Sequence, residues 1–136
     1  MAAHAEKDPI TTHVLDTTTG LPAKGLNVSL TLLEPLLDPS STDKVDFFAE
    51  TNADGRILKW KDRTGMSVDQ VLDTFEGKMV WRLSYRVEEY YGEGKTFYPQ
   101  VDLEFYTQPK SETGSSPPLH VPLLLGPWSY TTYRGS

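Results

Sequence analysis

The sequence predicts an all-β sandwich, because short segments of alternating apolar and polar residues are separated by turn residues. Apolar side chains recur at every second position in segments such as 26–33 and 79–87, which is the period of a half-buried strand. The 10 glycines and 10 prolines interrupt the chain too often for long helices. Roughly seven or eight such strands with one minor helix are typical of a β-sandwich.

The strand pattern appears in chain order at 10–16, 26–33, 45–51, 79–87, 101–106 and 119–125, and we expect a last strand to run towards the C-terminus. Helical spacing of apolar residues occurs at 67–75, where Ser67 or Thr64 is the candidate N-cap. A weaker helical turn is predicted at 88–91. The composition of 108–118 predicts a flexible loop.

Composition limits the classes of function. A chain of 136 residues is most simply one domain, and its net charge of −6, from 13 basic and 19 acidic side chains, argues against nucleic acid or an anionic membrane as the partner. The absence of cysteine excludes disulfides, zinc–thiolate sites and cysteine nucleophiles.

The ends of the chain suggest a location and a domain boundary. Residues 1–8 lack the apolar core of a signal peptide and are predicted to be a flexible leader before a single domain at 9–136. No run is long enough to span a membrane. We therefore expect a soluble cytoplasmic protein. The final Arg-Gly-Ser is not the peroxisomal Ser-Lys-Leu signal, although a peroxisomal location stays open.

His120 is predicted to lie on an outer face of the sandwich. Its neighbours Leu119 and Val121 point to the core by the period of two, so the imidazole points the other way. Pro122 shares that outer face, and a proline favours an edge or irregular strand position. An ordinary exposed histidine would produce the same pattern.

His13, Arg56 and Arg134 are the other candidates for chemistry. His13 shares a face of the first strand with Thr11, and Arg56 follows the turn glycine of "ADGRI". His13 also fits an ordinary surface histidine, Arg56 a solvated charge, and Arg134 an arginine that only pairs with a carboxylate near the C-terminus. Together, however, two histidines, an arginine and a terminal hydroxyl suffice for hydrolysis without a metal, since imidazoles move protons and a guanidinium holds an oxyanion.

Other types of site lack their motifs. The sequence contains no glycine-rich phosphate loop, no His-Glu-x-x-His and no Gly-x-Ser-x-Gly. The third histidine, His4, falls in the predicted leader, so a three-histidine metal site is not expected. Spacing alone therefore permits a hydrolytic site without establishing one.

Four stretches resemble a known family: "ITTHVLDTTTGLPAKGLNVSL" at 10–30, "TNADGRI" at 51–57, "TFYPQVDLEF" at 96–105 and "LHVPLLLGPWSYTTYRGS" at 119–136. They are similar to the 5-hydroxyisourate hydrolase branch of the transthyretin family. The resemblance implies a transthyretin-like, two-sheet, eight-stranded sandwich with one or two short helices. It also implies a homotetramer whose active sites lie in a central channel between dimers.

The resemblance further implies a reaction, in which water opens the six-membered ring of 5-hydroxyisourate to give 2-oxo-4-hydroxy-4-carboxy-5-ureidoimidazoline during urate degradation. No cofactor and no metal are implied. The alternative within the family is a transthyretin-like carrier of small ligands, which lacks the catalytic residues. A non-catalytic sandwich module is a further alternative.

Matched motif by motif, the resemblance implies that His13, Arg56, His120 and Ser136 are catalytic. We assign His120 as the general base on water and His13 to complete proton transfer. Arg56 is expected to bind a carbonyl or anionic edge of the substrate. Ser136 is expected to contribute its hydroxyl or the terminal carboxylate. The implied substrate-binding set is His13, Arg56, Tyr133, Arg134, Gly135 and Ser136. The chain departs from the family pattern by additions at 34–47, 58–76 and 108–118.

Overall fold

A computed structural model describes residues 7–36, 44–63, 65–109 and 117–135, and within these ranges the chain forms ten strands and two helices. The strands are β1 (Ile10–Asp16), β2 (Leu21–Pro22), β3 (Asn27–Glu34), β4 (Asp46–Glu50), β5 (Arg56–Ile57), β6 (Lys61–Asp62), β7 (Met79–Tyr85), β8 (Val101–Thr107), β9 (Leu119–Leu125) and β10 (Tyr130–Thr132). The helices are α1 (Val68–Thr74) and α2 (Val87–Tyr91). Neither described helix has the length and hydrophobicity needed to cross a membrane.

The strands form two sheets, which confirms the predicted sandwich. The first sheet has the order β10-β9-β1-β2, with β5 also paired to β1, and the second has the order β6-β4-β3-β7-β8. β1 and β9 are parallel, whereas the other pairings in the described ranges are antiparallel. The chain therefore builds the whole second sheet before it returns to place β9 beside β1.

The core lies between the sheets, where the inward positions of each strand pack together. Trp81, Tyr85 and Phe47 are the largest fully buried side chains. A buried hydrogen-bond chain joins the layers: the Thr12 hydroxyl donates to the Val121 carbonyl at 2.6 Å and accepts from the Tyr85 hydroxyl at 2.7 Å. Burial raises the pKa of Tyr85, which keeps this phenol protonated as a donor.

A buried carboxylate anchors α2 to the end of the first sheet. Asp16, at the end of β1, accepts hydrogen bonds from Tyr90 at 2.9 Å, from Tyr91 at 3.0 Å and from the backbone and hydroxyl of Thr18. Burial raises the pKa of Asp16, but these hydrogen bonds together outweigh burial and hold it below 3.8. The network therefore stabilises the charged form of Asp16.

The predicted helices are confirmed, and the number of strands longer than two residues agrees with the prediction. Ser67 is the N-cap of α1 and forms a capping box with Gln70, whereas Thr64 lies outside the described residues. The described chain has ten strands, of which seven compare with the seven or eight predicted, and β2, β5 and β6 contain two residues each. Such short strands carry no periodicity that the sequence could reveal.

Pro122 lies at an irregular position of a strand that is not at the edge of its sheet. Its strand, β9, lies between β1 and β10. The pairing with β10 stops at Leu123 and resumes only at an isolated bridge between His120 and Gly135. The gap contains Pro122, which has no N–H to donate.

The predicted leader, 1–8, lies outside the described residues except for Lys7 and Asp8. The Asp8 backbone donates to the Leu58 carbonyl at 2.7 Å, and its carboxylate accepts from the Trp60 backbone at 2.8 Å. Asp8 is therefore held against the chain that follows β5. Most of the predicted loop 108–118 also lies outside the described residues.

Candidate active site

Two histidines meet on the outer face of the first sheet. The parallel pairing of β1 and β9 sets Thr11 opposite His120 and His13 opposite Pro122. Because side chains alternate along a strand, the side chains of these residues project from the sheet face that points away from the core. The Nδ1 atom of His13 lies 2.6 Å from Nε2 of His120, with 4.8 Å between the ring centroids and 21° between the ring planes. We call these two residues the histidine pair.

A threonine extends the histidine pair into a hydrogen-bonded chain of three side chains. The Oγ1 atom of Thr11 lies 2.8 Å from Nδ1 of His120. Both ring nitrogens of His120 therefore have protein partners. Nε2 of His13 has no hydrogen-bond partner among the described residues. The sequence placed Thr11 on the same face as His13 but did not predict this contact, which requires the parallel partner strand.

Arg56 is held beside the histidine pair by a tight turn. It lies opposite His13 in the β1–β5 register and is exposed. The side-chain oxygen of Asn52 accepts from the backbone N–H groups of Asp54 at 2.9 Å and Arg56 at 3.0 Å. Gly55 has a φ of +72°, and a Cβ there would lie 2.5 Å from the Val14 carbonyl oxygen. Only glycine fits this turn, and the turn therefore fixes the position of the Arg56 backbone.

The C-terminal segment reaches the histidine pair through Gly135. The Gly135 N–H donates to the His120 carbonyl at 2.9 Å. A Cβ at this buried glycine would lie 3.0 Å from that carbonyl oxygen and 3.1 Å from Cδ2 of the imidazole. Ser136 lies outside the described residues. The terminal backbone therefore packs directly against His120.

Within a single chain, Tyr133 and Arg134 line a different cavity from the one beside the histidine pair. Both line a cavity of about 410 Å³ together with Leu103, Phe105 and Val121. The Arg134 guanidinium donates to the Gly135 carbonyl at 3.2 Å. Of the predicted site residues, the described structure groups His13, His120, Arg56 and Gly135, but not Tyr133 and Arg134.

The surroundings favour the neutral form of both imidazoles by lowering their pKa. Burial lowers the pKa of His13 below 6.5, and the Arg56 charge lowers it further. Burial also lowers the pKa of His120, with further contributions from His13, Arg56 and Lys7. Neutral imidazoles keep a nitrogen lone pair at neutral pH, which a general base requires.

A cavity of about 420 Å³ opens beside His120 and Arg56. This volume is within the range of pockets for small molecules. Lys7, Asp8 and Asp69 also line the cavity, and sequence reasoning missed all three. Lys7 and Asp8 were assigned to the leader, and no local signal shows that α1 brings Asp69 to this place. Burial raises the pKa of Asp8.

In the described part of the chain, no three histidine or acidic side chains are grouped so that they could hold a metal ion. His4 lies outside that part. The site therefore offers two imidazoles, a guanidinium and a hydroxyl to a bound molecule.

The two-sheet sandwich, with a histidine pair and an arginine on one outer face, defines a transthyretin-like domain. The chain belongs to the HIUase/Transthyretin family, whose profile matches residues 10–135. The 5-hydroxyisourate hydrolase of Mus musculus is 38% identical over 133 residues, which cover 96% of this chain and 98% of the mouse protein. A probable 5-hydroxyisourate hydrolase of Schizosaccharomyces pombe is 36% identical over 131 residues, covering 93% and 90%.

Solved structures support the same fold. The 5-hydroxyisourate hydrolase of Klebsiella pneumoniae has a TM-score of 0.62 at 23% identity and covers 93% of this chain and 98% of its own. Transthyretin from Sparus aurata has a TM-score of 0.66 at 21% identity, with 93% and 96% covered. Fold alone therefore does not separate a hydrolase from a carrier, and the side chains of the site must do so.

Proposed function

We propose that this chain is a 5-hydroxyisourate hydrolase that acts in urate degradation. The observation that carries the proposal is the 2.6 Å contact between His13 and His120, two imidazoles of lowered pKa beside the Arg56 guanidinium. The sequence relatives named as 5-hydroxyisourate hydrolases support the same substrate. A carrier of small ligands needs no such group of proton-transferring side chains.

The histidine pair activates water in this proposal. Both nitrogens of His120 are hydrogen-bonded to protein atoms, so we route the proton of water to the unpartnered Nε2 of His13. This exchanges the histidine roles that we assigned from the sequence. His120 accepts a proton from Nδ1 of His13 across the 2.6 Å contact, and the positive charge is shared by two rings.

Arg56 stabilises the negative charge that forms on the substrate. Attack of water on the ring carbonyl leaves an oxyanion, and a guanidinium presents several donors to such an oxygen. Arg56 lies opposite His13 across the β1–β5 register, so base and oxyanion donor approach the substrate together. Because Arg56 is exposed in the single chain, its side chain remains free to reach a bound molecule.

Ring opening completes the proposed reaction. The carbon–nitrogen bond of the tetrahedral intermediate breaks, and the departing nitrogen takes back a proton from the histidine pair. The net change is addition of one water across that bond, giving 2-oxo-4-hydroxy-4-carboxy-5-ureidoimidazoline. The histidine pair returns to its neutral state. Neither a metal nor a cofactor takes part in the proposed sequence of steps.

The remaining predicted site residues belong to the C-terminal segment. Gly135 provides the backbone contact with His120, and Ser136 is proposed to present its hydroxyl or the terminal carboxylate to the substrate. Tyr133 and Arg134 line the neighbouring cavity of the same chain. We therefore propose that these two side chains contact substrate only at a site shared with another subunit.

A homotetramer of single hydrolase domains at 9–136 is part of the proposal. Its support is the number of large side chains that the single chain exposes, with Phe97 at 69%, Trp128 at 66%, Tyr106 at 59% and Tyr133 at 57%. Exposed apolar groups of this size mark an association surface where they lie together in one patch. β8 and β10 also end their sheets with unpaired edges. Light scattering distinguishes a tetramer from a monomer.

The proposed compartment is the cytoplasm, and the peroxisome is the alternative. Fractionation of cells that express the chain with a small internal tag distinguishes the two. A tag at the C-terminus is unsuitable because it would alter the terminal segment that contacts His120.

The function is tested by the decay of 5-hydroxyisourate made in situ from urate with urate oxidase. We expect wild type to accelerate decay well beyond the spontaneous rate. His120→Asn and deletion of Ser136 should each slow it strongly, whereas the control His4→Gln should not. Decay at the spontaneous rate with folded wild-type protein would contradict the proposal. Binding of aromatic ligands without turnover would then favour the carrier.

A further inference from the structure

The Thr11 hydroxyl is the least expected member of the candidate site. It lies 2.8 Å from Nδ1 of His120 and is 8% exposed. We propose that Thr11 is a positioning residue that sets the ring orientation and the proton arrangement of His120, and through it those of His13. This inference rests on the proposed hydrolase function.

The fold holds the Thr11 oxygen at a fixed point. β1 is an interior strand between β9 on one side and β2 and β5 on the other. Threonine is β-branched and has few χ1 rotamers, so its hydroxyl oxygen has little freedom once the backbone is fixed. The parallel register places Thr11 directly opposite His120. The imidazole of His120 is therefore held from its Nδ1 side by a rigid strand.

The proton arrangement follows along the chain of three side chains. If Nδ1–H of His120 donates to Thr11, then Nε2 of His120 accepts from Nδ1–H of His13. Nε2 of His13 then carries a lone pair and can take a proton from water. In the opposite arrangement the Thr11 hydroxyl donates to Nδ1 of His120, and Nε2 of His13 carries a proton and has no lone pair for water.

A hydroxyl is suited to both arrangements. It can accept and donate, whereas a backbone carbonyl or a carboxylate can only accept and would hold His120 in one tautomer. Hydrolysis needs a base when water attacks and an acid when the nitrogen departs. Thr11 also lines the cavity of about 420 Å³, so its proton has room to turn away from His120 when it accepts. In the arrangement where Thr11 accepts from Nδ1–H of His120, the histidine pair takes the proton of water and later returns it to the departing nitrogen, so the same Thr11 contact serves both steps.

The test compares Thr11→Val, which removes the hydroxyl at nearly constant shape, with Thr11→Ser, which keeps it. We expect Thr11→Val to lower kcat by about tenfold or more with KM changed less than about twofold, because the reacting groups lose alignment rather than affinity. Thr11→Ser should recover most of the rate. Thr31→Val is the matched control, since Thr31 is also 8% exposed and donates a 3.0 Å hydrogen bond to Asp46 in the second sheet.

A spectroscopic readout separates this inference from the proposed function. Nitrogen NMR of the imidazoles in wild type should show Nδ1 of His120 hydrogen-bonded, and Thr11→Val should change that signal while Thr31→Val does not. Unchanged kcat in Thr11→Val, equal damage by Thr11→Ser, or an unchanged Nδ1 signal would each overturn the role of Thr11. Wild type that shows the bond but hydrolyses nothing would instead overturn the function. The wild-type spectrum tests the bond even where a variant fails to fold.

Discussion

Gly135→Ala tests how the C-terminal segment controls the candidate site. Gly135 is buried, and an added Cβ would lie 3.0 Å from the His120 carbonyl oxygen, 3.0 Å from Cγ of Pro122 and 3.1 Å from Cδ2 of the imidazole. Carbon atoms in contact are ordinarily about 3.5–4.0 Å apart. The new methyl group is therefore too close by roughly half an ångström. Either the imidazole or the terminal segment must move.

The structure allows the size of the effect to be estimated. The carbonyl and Pro122 belong to an interior strand, so the imidazole and the terminal backbone take up the displacement. A shift of about 0.5 Å disrupts the 2.6 Å contact with His13 and the 2.8 Å contact with Thr11. Because a misplacement of about 1 Å costs about a hundredfold in rate, we expect kcat to fall about tenfold. Overpacking should lower the free energy of unfolding by about 1–3 kcal/mol.

The assay is steady-state hydrolysis of 5-hydroxyisourate, with urea unfolding of the same samples. Gly77→Ala is the control, because a Cβ at Gly77 would meet no heavy atom within 4 Å. We expect Gly77→Ala to keep the wild-type kcat. A Gly135→Ala protein with the wild-type kcat would refute the conclusion that this glycine positions the imidazole. A kcat loss of equal size in Gly77→Ala would refute it as well.

Three further predictions concern charge and buried hydrogen bonds. Arg56→Gln should lower kcat/KM about a hundredfold through loss of the oxyanion donor. It should also move the acid limb of the pH profile to higher pH, because the guanidinium lowers the pKa of both histidines. Asp16→Asn should lower the free energy of unfolding at pH 7 by about 1–3 kcal/mol. In wild type that contribution is present above the unfolded pKa of 3.8 and is lost as pH falls through the depressed folded pKa, which acid unfolding measures. Tyr85→Phe should cost about 1 kcal/mol in urea unfolding and leave kcat unchanged, since its hydroxyl only supports Thr12.

The faces of individual strands could be predicted because alternation is local. The pattern around His120 predicted an outward imidazole, and the structure places that ring on the outer face beside His13. The helix after Ser67 was predictable for the same reason, since its cap and its apolar spacing lie within a few residues. Local chemistry therefore predicted the sandwich and the orientation of its main candidate side chain.

The partners of those side chains could not be predicted from periodicity. Thr11 and His120 are 109 positions apart, and their contact depends on the parallel pairing of β1 with β9. The ordered position of Asp8 was not predicted. Its backbone contact with Leu58 can be made by any residue type, and its carboxylate accepts from a backbone N–H that is 52 positions away in sequence. Periodicity also gives no signal for the cavity that Tyr133 and Arg134 line within one chain, since both residues follow the end of β10.

The most direct measurement of the proposed chemistry is a double-mutant cycle on the histidine pair. We would determine kcat/KM for 5-hydroxyisourate with wild type, His13→Asn, His120→Asn and the double variant, all checked for folding. If the two imidazoles transfer protons as one unit, each single variant loses about a hundredfold or more and the double variant loses no more than the worse single one. Losses that multiply in the double variant, or single variants as fast as wild type, would contradict a joint role for His13 and His120.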